Sequence, residues 1–382
     1  MSLSPPLKLR DLEFERPEAL QATVPPEERE GSRDAVRLLV STPDGHHLSR
    51  FPNLANFLAA GDLLVVNRSA TLGASLPAAG RSGPFLLNLS THYGSVIGPA
   101  DAPSGADRNV WLTEPRRGHA EPGPLPFAAG DRATVAGLTA TFLHPYPELP
   151  RLWFVRFDGD VWGAMQRFGT PVRYGYVNEA YPLERYQTLF ADRPGSAEMP
   201  SAARPFTEKV LACLRAKGVE VARITLHTGV SSLEVETENV AEQALYPEPF
   251  EVPAETVRAV ERAKAAGKRV VAVGTTVVRA LESAWDGVKL RPAKGFTRLY
   301  LHPGRAVNVT DGLLTGFHDP KASHLAMLYA LAGQDLVRSA YEEAVRARLL
   351  WHEFGDSHLI LPKPKGGGEQ AADALPLPYE KQ

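Results

Sequence analysis

Residues 269–283 carry the side chains best suited to chemistry. They read RVVAVGTTVVRALES, so the apolar run Val270–Val273 is followed by a Gly-Thr-Thr turn and a helix-forming stretch. A short β-branched run is typical of a strand buried on both faces. Gly274 allows a sharp turn, and Thr275 or Thr276 is expected to cap the helix, leaving N–H groups that favour an anionic ligand. The alternative interpretation is an ordinary capped strand–helix unit without a ligand, which has the same sequence pattern.

The predicted helix continues this polar site. Arg279 and Glu282 are three residues apart and therefore share one helix face, where they can hold a ligand or pair with each other. The expected substrate-binding set of this segment is Gly274, Thr275, Thr276, Arg279 and Glu282.

Residues 311–321, DGLLTGFHDPK, form a second polar segment. Asp311 and His318 can bind hydroxyl groups or move protons, Thr315 lies between them, and Lys321 can hold a carboxylate or phosphate. The structural alternative is a turn at Asp311 and a capping or core role for His318. We predict that this segment and the Gly-Thr-Thr turn face the same pocket.

Composition limits the possible classes. A chain of 382 residues with 43% hydrophobic and 23% charged residues can form two domains, or one large domain with an insertion. A single cysteine excludes an internal disulfide and predicts a cytoplasmic protein. The formal net charge of −2 means that nucleic-acid binding would need a local basic face. We expect no membrane span, and the sequence lacks zinc, Walker and dinucleotide motifs.

The chain divides by pattern into an α/β part and an all-β part. Residues 70–157 are rich in Gly and Pro with short apolar runs, which predicts a small β-barrel insertion. The rest, 1–69 and 158–362, is the expected main domain, with helices over 208–217, 254–266 and 276–285 alternating with strands over 219–226 and 270–273. Asp319 is expected to cap a further helix that ends at Gly333. Residues 363–382 are expected to form a flexible tail.

The 269–283 segment resembles the V-G-T-T-x-V-R-T-L-E-S signature of the S-adenosylmethionine:tRNA ribosyltransferase-isomerases of queuosine biosynthesis, with Ala280 in place of a threonine. Further matches follow in family order: 33–40, 61–67, 184–188, 311–321 and 355–356. The resemblance spans about residues 9–361 and implies an α/β main domain of barrel-like character with an inserted β-barrel. It also implies tRNA and S-adenosylmethionine as partners, the latter as a co-substrate, with no metal or redox cofactor. We expect a monomer or a weak homo-oligomer.

In that family the ribosyl part of S-adenosylmethionine is moved onto 7-aminomethyl-7-deazaguanine in tRNA and rearranged, giving epoxyqueuosine with release of adenine and methionine. Such chemistry needs a base, a proton source for adenine and polar groups around the ribose. The resemblance implies Glu248 as a candidate base, and Asp311, His318 and Asp356 as further catalytic candidates. His227 follows a predicted strand, where ligand groups gather. Glu248 is alternatively a surface residue, and Asp356 a loop cap.

Several signature positions depart from the family pattern. Two arginines are Ala70 and Ser75, a histidine is Pro205, and an asparagine is Gly316. Two more histidines are replaced by Gln243 and Tyr246. Arg68, Arg204 and His358 are possible replacements. Three functions therefore stay open: the family reaction, transfer from S-adenosylmethionine to another acceptor, and RNA binding without catalysis.

Overall fold

The computed structural model describes residues 7–93, 109–147, 149–177, 179–230, 235 and 237–363. Its β-strands are β1 (Arg37–Thr42), β2 (Gly45–Arg50), β3 (Leu63–Asn67), β4 (Ser69–Thr71), β5 (Ser75–Gly80), β6 (Gly83–His92), β7 (Val110–Arg116), β8 (Arg132–Val135), β9 (Leu138–Tyr146), β10 (Leu149–Phe157), β11 (Arg193–Ser196), β12 (Glu220–Leu226), β13 (Glu248–Val252), β14 (Val270–Val273), β15 (Ala293–Thr297), β16 (Gly312–Gly316) and β17 (Ser357–Ile360). Its α-helices are α1 (Pro26–Glu30), α2 (Val161–Phe168), α3 (Glu208–Ala216), α4 (Ala254–Ala265), α5 (Thr275–Ser283), α6 (Ser323–Ala332) and α7 (Gln334–Arg346).

The main sheet is mixed and has nine strands in the order β15-β13-β12-β3-β14-β16-β17-β1-β2. Its central strands β12, β3, β14 and β16 are parallel, so their carboxyl ends share one edge of the sheet. β17 runs antiparallel to β16, and its first residue, Ser357, lies opposite Gly316. The loop before β17 therefore meets the turns after the parallel strands. We call this side the carboxyl edge and the opposite side the amino edge.

Both faces of the main sheet are covered, which explains the near-continuous apolar runs of its central strands. Along β14, Ala272 faces the cluster formed with α4, α5, α6 and α7, whereas Val273 faces the cluster formed with α3. Side chains alternate between the two faces because a strand has a period of two. The strand predicted at Val270–Val273 is confirmed.

Strands β5 to β10 form a closed barrel in the order β10-β7-β6-β5-β8-β9. Its apolar core includes Phe142, on which the partly buried ring of Phe127 stacks with centroids 3.8 Å apart. The predicted β-barrel insertion is thus confirmed, and its strands lie within 70–157, while the exact domain limits stay a prediction. The prediction of a barrel-like main domain is not met, because the main sheet is open and has β15 and β2 as its edge strands.

Two predicted helix starts are also corrected. α5 begins at Thr275, and its N-cap is Gly274, whose φ of 95° is a glycine conformation. Thr275 and Thr276 therefore lie inside the helix and leave their side chains for other contacts. α6 begins at Ser323 after Ala322 and ends before Gly333 as predicted. Asp319 does not cap it, because its carboxylate contacts Arg16 and His352 instead.

The other predicted elements agree closely with the structure. α3, α4 and β12 match the predicted ranges to within one residue, because their apolar periodicity is regular. No helix in the described ranges is long and apolar enough to cross a membrane. The predicted tail lies outside the described residues apart from Lys363.

Candidate functional site

A cavity of about 310 Å³ opens at the carboxyl edge of the main sheet. We call it the main cavity, and the residues that matter most in its lining are Tyr176, Glu198, Thr275, Thr276, His318 and Glu353. Gly274, Thr315 and His324 line it as well. Thr276 and His318 thus share one pocket, which confirms the prediction that the Gly-Thr-Thr turn and the 311–321 segment face each other.

Buried Asn67 at the end of β3 fixes the threonine side of the main cavity. Its amide Nδ2 donates to the Leu226 carbonyl at 2.8 Å and to Thr276 Oγ1 at 3.3 Å. Its Oδ1 accepts from the backbone N–H groups of Ser69 and Leu226 at 3.0 and 3.1 Å. One side chain therefore ties the ends of β3 and β12 to the start of α5. The Thr276 hydroxyl is held in a defined position as a result.

Two stacked histidines form the opposite side of the main cavity. The rings of His318 and His324 are 4.6 Å apart between centroids and inclined by 16°. His318 Nε2 lies 3.0 Å from Thr315 Oγ1, its backbone N–H donates to the Tyr341 hydroxyl at 3.2 Å, and its carbonyl accepts from Trp351 Nε1 at 3.1 Å. His318 is thus held by its backbone as well as by its ring.

Burial keeps both histidines uncharged. Burial, aided by the neighbouring histidine rings, holds the pKa of His318 well below its usual value. Burial and the Arg279 guanidinium lower the pKa of His324 to about 4. At pH 7 both rings are neutral, so each has one nitrogen able to accept a proton or a hydrogen bond.

The acidic side of the main cavity joins two carboxylates to two tyrosines. The Tyr174 hydroxyl donates to Glu198, and the Tyr176 hydroxyl lies 3.5 Å from Glu353 Oε1. Burial, followed by repulsion from Glu198, raises the pKa of Glu353 to about 8 despite the opposing effects of Arg204 and Tyr176. Glu353 therefore holds a proton at neutral pH in a cavity wall.

His352 fixes the loop that carries Glu353. Its ring stacks on Tyr176 with centroids 4.4 Å apart, and its Nε2 contacts the Asp319 carboxylate. Its φ of 72° is unusual for a residue other than glycine, so these contacts must hold the backbone in place. Asp319 is held in turn by Arg16 at 3.0 Å. The loop is thus braced on both sides of the cavity.

Asp311, expected in the site, lies elsewhere. It precedes β16, whose five residues separate it by about 16 Å from the carboxyl edge. Its Oδ2 accepts from the Val270 N–H at 2.8 Å, and its Oδ1 pairs with Lys264 at 2.5 Å. This correction follows from strand direction, because the start and end of one strand cannot line one pocket.

Asp356 and Glu282 also have structural contacts instead of a place in the main cavity. Asp356 is 3% exposed, and it accepts from the backbone N–H groups of Arg37 and Leu350, both at 2.7 Å, and from the Arg37 guanidinium at 2.9 Å. Glu282 accepts from the backbone N–H groups of residues 308–310 at 2.7–3.1 Å. Both carboxylates are saturated by donors from the protein. Asp356 is therefore a loop cap, the alternative that the sequence left open.

Glu248 and Arg279 pair with each other beside the main cavity. Glu248 is 1% exposed, contacts the Arg279 guanidinium and accepts from the Gly229 N–H at 2.7 Å. They line a small pocket that His324 separates from the main cavity. The surface position considered for Glu248 is wrong. The pair between Arg279 and Glu282 is also wrong, because each has another partner.

Two further expected residues lie away from the main cavity. Lys321 pairs with Glu13 at 3.1 Å near the surface and does not line the pocket. His227 lines a second cavity, of about 320 Å³, between the barrel and the main sheet. We call this the tryptophan cavity, and its lining includes Thr91, Trp111, Trp162, His227 and Lys294.

The proposed replacements for lost family residues do not reach the main cavity either. Arg68 pairs with Asp192 at 2.6 Å, Arg204 pairs with Glu27 at 2.6 Å, and His358 bonds to Ser41 at 2.8 Å. Ser75, at a lost arginine position, is 1% exposed. An arginine there could not reach solvent without rearrangement. Gly316, in contrast, lines the main cavity, so its missing side chain changes that surface.

Six tyrosine, glutamate and histidine residues that line the main cavity were not predicted from the sequence: Tyr174, Tyr176, Glu198, His324, His352 and Glu353. They lie in irregular segments or at a helix start, without a motif of their own. The signal nearest to them was Gly355-Asp356, just after Glu353. Among the described residues, no group of three or more His, Cys, Asp or Glu side chains is arranged to hold a metal ion.

Comparison with known proteins identifies the family. A family model described as "Queuosine biosynthesis protein" matches residues 9–360. The chain is 35% identical over 361 residues to an S-adenosylmethionine:tRNA ribosyltransferase-isomerase of Carboxydothermus hydrogenoformans, covering 93% of this chain and 100% of that protein. It is 36% identical over 359 residues to a protein of the same name from Thermus thermophilus, covering 90% of this chain and 99% of that protein.

A solved structure is similar over the same extent. The crystal structure of S-adenosylmethionine tRNA ribosyltransferase from Thermotoga maritima aligns with a TM-score of 0.50 and 27% identity, covering 92% of this chain and 100% of that one. The sequence comparisons and the structural comparison therefore identify similar proteins over nearly the whole chain. This chain belongs to the family of queuosine biosynthesis proteins.

Proposed function

We propose that this protein is an S-adenosylmethionine:tRNA ribosyltransferase-isomerase. It transfers the ribosyl part of S-adenosylmethionine to 7-aminomethyl-7-deazaguanine in tRNA and rearranges it to epoxyqueuosine, with release of adenine and methionine. The observation that carries the proposal is the near-complete match, at 35–36% identity, to relatives with that activity in their names. No feature of the described residues favours another acceptor or a non-catalytic function.

Glu353 is the proton donor that we propose for the departing adenine. When the bond from the ribose to adenine breaks, its electron pair remains on the adenine nitrogen, which then needs a proton. A carboxyl group with a pKa of about 8 still holds its proton at pH 7 and transfers it readily to a strong base. Tyr176 supports Glu353 from one side, and the nearby charge of Glu198 opposes its ionisation.

The neutral histidines and the threonines complete the proposed site. His318 and His324 supply ring nitrogens that can take the acidic proton beside the sulfonium or accept bonds from ribose hydroxyls. The hydroxyls of Thr275, Thr276 and Thr315 stand across the cavity and suit the polar ribose. Because α5 begins at Thr275, its first N–H groups also favour a negative group such as the methionine carboxylate.

The cofactor and cellular context follow from the same proposal. S-adenosylmethionine is consumed as a co-substrate. The ribosyl part loses its bond to the adenine nitrogen and its bond to the sulfonium sulfur, whose electron pair leaves with methionine, and it gains a bond to the acceptor amine, so there is no net redox change. We therefore propose that no metal or redox cofactor takes part. Action on tRNA also favours a cytoplasmic protein.

The direct test is turnover with both substrates. We expect S-adenosylmethionine and tRNA carrying 7-aminomethyl-7-deazaguanine to give free adenine and an equal amount of tRNA of higher mass. Unmodified tRNA is the control and should release no adenine. Adenine release with a small-molecule amine but not with tRNA would show that the acceptor is not tRNA. No adenine release under any condition would reject the proposed activity.

A further inference from the structure

The tryptophan cavity lies apart from the main cavity and has no assigned role. It is bounded by β6, β7 and α2 on the barrel side and by β12, β13 and β15 on the side of the main sheet. His227 lines the tryptophan cavity, whereas the next residue, Thr228, lines the main cavity. The two cavities thus lie on either side of the same strand end, close enough for one large substrate to reach both.

Aromatic rings form one wall of this cavity. The rings of Trp111 and Trp162 are 5.4 Å apart between centroids at 61°, and His92 stacks on Trp111 at 4.6 Å and 25°. Trp162 is 40% exposed although it is a large apolar side chain. An exposed aromatic face at the mouth of a cavity is suited to stacking against a planar ligand.

A chain of hydrogen bonds holds Nδ1 of His227. The backbone N–H of Thr228 donates to Ser196 Oγ at 3.0 Å, and Ser196 Oγ lies 2.6 Å from Ser69 Oγ, which lies 2.7 Å from His227 Nδ1. Buried Ser196 can place its proton on Ser69, which then donates to His227 Nδ1. Burial lowers the pKa of His227 to about 4, so the ring is neutral, and in this arrangement of the two hydroxyls its proton is on Nε2. That N–H is available to a ligand.

We propose that the tryptophan cavity binds an unpaired nucleobase of the tRNA substrate. The base stacks on Trp162, and the Nε2–H group of His227 donates to an acceptor atom on its edge. This inference rests on the proposed function, which supplies the RNA. The threonines, histidines and carboxylates that suit S-adenosylmethionine lie in the other cavity.

The rim favours RNA over a free nucleoside. The Lys294 side chain is 72% exposed, and within the described ranges its one ion pair is a long contact with Glu251, at 3.8 Å. Such an exposed pair is weak and can be exchanged for a phosphate. A base in the cavity would place its own backbone near this ammonium group, so affinity should fall with increasing salt.

Trp162→Ala tests the proposal, with Phe168→Ala as the matched control. Phe168 is another exposed aromatic residue of α2, but it does not line the cavity. Loss of one stacking partner should raise the Kd for the tRNA by about 10-fold, while the control and the KM for S-adenosylmethionine stay unchanged. Trp162→Phe, which keeps an aromatic face, should retain most of the affinity.

His227→Phe provides an independent variant, since it removes the ring N–H and keeps a planar ring in the lining of the cavity. It should also weaken tRNA binding, and thermal unfolding would verify that each variant is folded. Equal tRNA affinity in wild type, Trp162→Ala and His227→Phe would overturn the proposal. If these variants raised only the KM for S-adenosylmethionine, the proposal would also be overturned, because the cavity would then bind the adenine of that substrate. Binding without turnover in the wild type would instead reject the proposed function and leave the cavity proposal standing.

Discussion

The two edges of the main sheet use the same residue types for different purposes. At the amino edge, Asp62 is 1% exposed and accepts from the N–H groups of Ala59 and Arg269 and from the Arg269 guanidinium, at 2.5–3.1 Å. At the carboxyl edge, Glu353 has a long contact of 3.5 Å with Tyr176 and faces a cavity. The number of donors that reach a carboxylate thus separates a structural group from one free to react.

This difference has a physical basis. A buried carboxylate that accepts several N–H bonds has its oxygen lone pairs occupied by the protein, so it has little capacity left to contact a substrate. A buried carboxylate with few donors and a second carboxylate nearby keeps its proton instead. Glu353 is of the second kind, which makes it the best candidate for proton transfer in the described part of the chain.

Glu353→Gln should give the largest effect of the substitutions that follow. The amide keeps the size of the side chain but cannot donate a proton to adenine as an acid does. We expect kcat to fall by about 10²- to 10⁴-fold with little change in the KM for S-adenosylmethionine, measured by adenine release. A decrease in kcat of less than threefold would show that Glu353 is a structural carboxylate and not the proton donor.

Asp356→Ala should instead affect stability. Removal of this carboxylate leaves two partly buried N–H groups and the Arg37 guanidinium without their partner. Because Arg37 is partly exposed, we expect a loss on the order of 3 kcal/mol in the free energy of unfolding, measured by urea denaturation. The kcat per folded molecule should stay close to wild type. A catalytic defect without a loss of stability would contradict the assignment of Asp356 as a loop cap.

Asp311→Asn should have the smallest effect and serves as the amino-edge control for Glu353→Gln. Its pair with Lys264 is partly exposed, so the charge contributes about 1 kcal/mol or less, and the amide oxygen can still accept from Val270. We expect a slightly lower melting temperature and an unchanged kcat. If adenine release slowed as much as in Glu353→Gln, the distinction between the two edges would fail.

Much of the fold could be predicted from local pattern. The run Val270–Val273, the regular helices and the turn-rich insertion follow from spacing and composition, and Gly274 indicated the turn. The common pocket of Thr276 and His318 followed because both come after apolar strand runs. Asp311 was misplaced because the sequence alone did not show that all of β16 lies between it and His318.

The acidic side of the cavity depended on contacts that no local pattern contains. Tyr176 and Glu353 are 177 residues apart in the chain. They meet because β17 is added antiparallel to β16, which brings the preceding loop to the carboxyl edge. The raised pKa of Glu353 likewise comes from tertiary burial. Neither effect can be derived from residue spacing.

The pH dependence of adenine release is the most direct test of the proposed role of Glu353. Because the protonated form is the active one and its pKa is raised to about 8, the rate should be high below pH 8. Above that pH it should fall by about tenfold per unit in the wild type and in Asp311→Asn. Single-turnover release from pH 6 to 10, with tRNA and S-adenosylmethionine saturating, measures this. We predict that Glu353→Gln lacks this alkaline decrease, and the same decrease in that variant would contradict the proposed role.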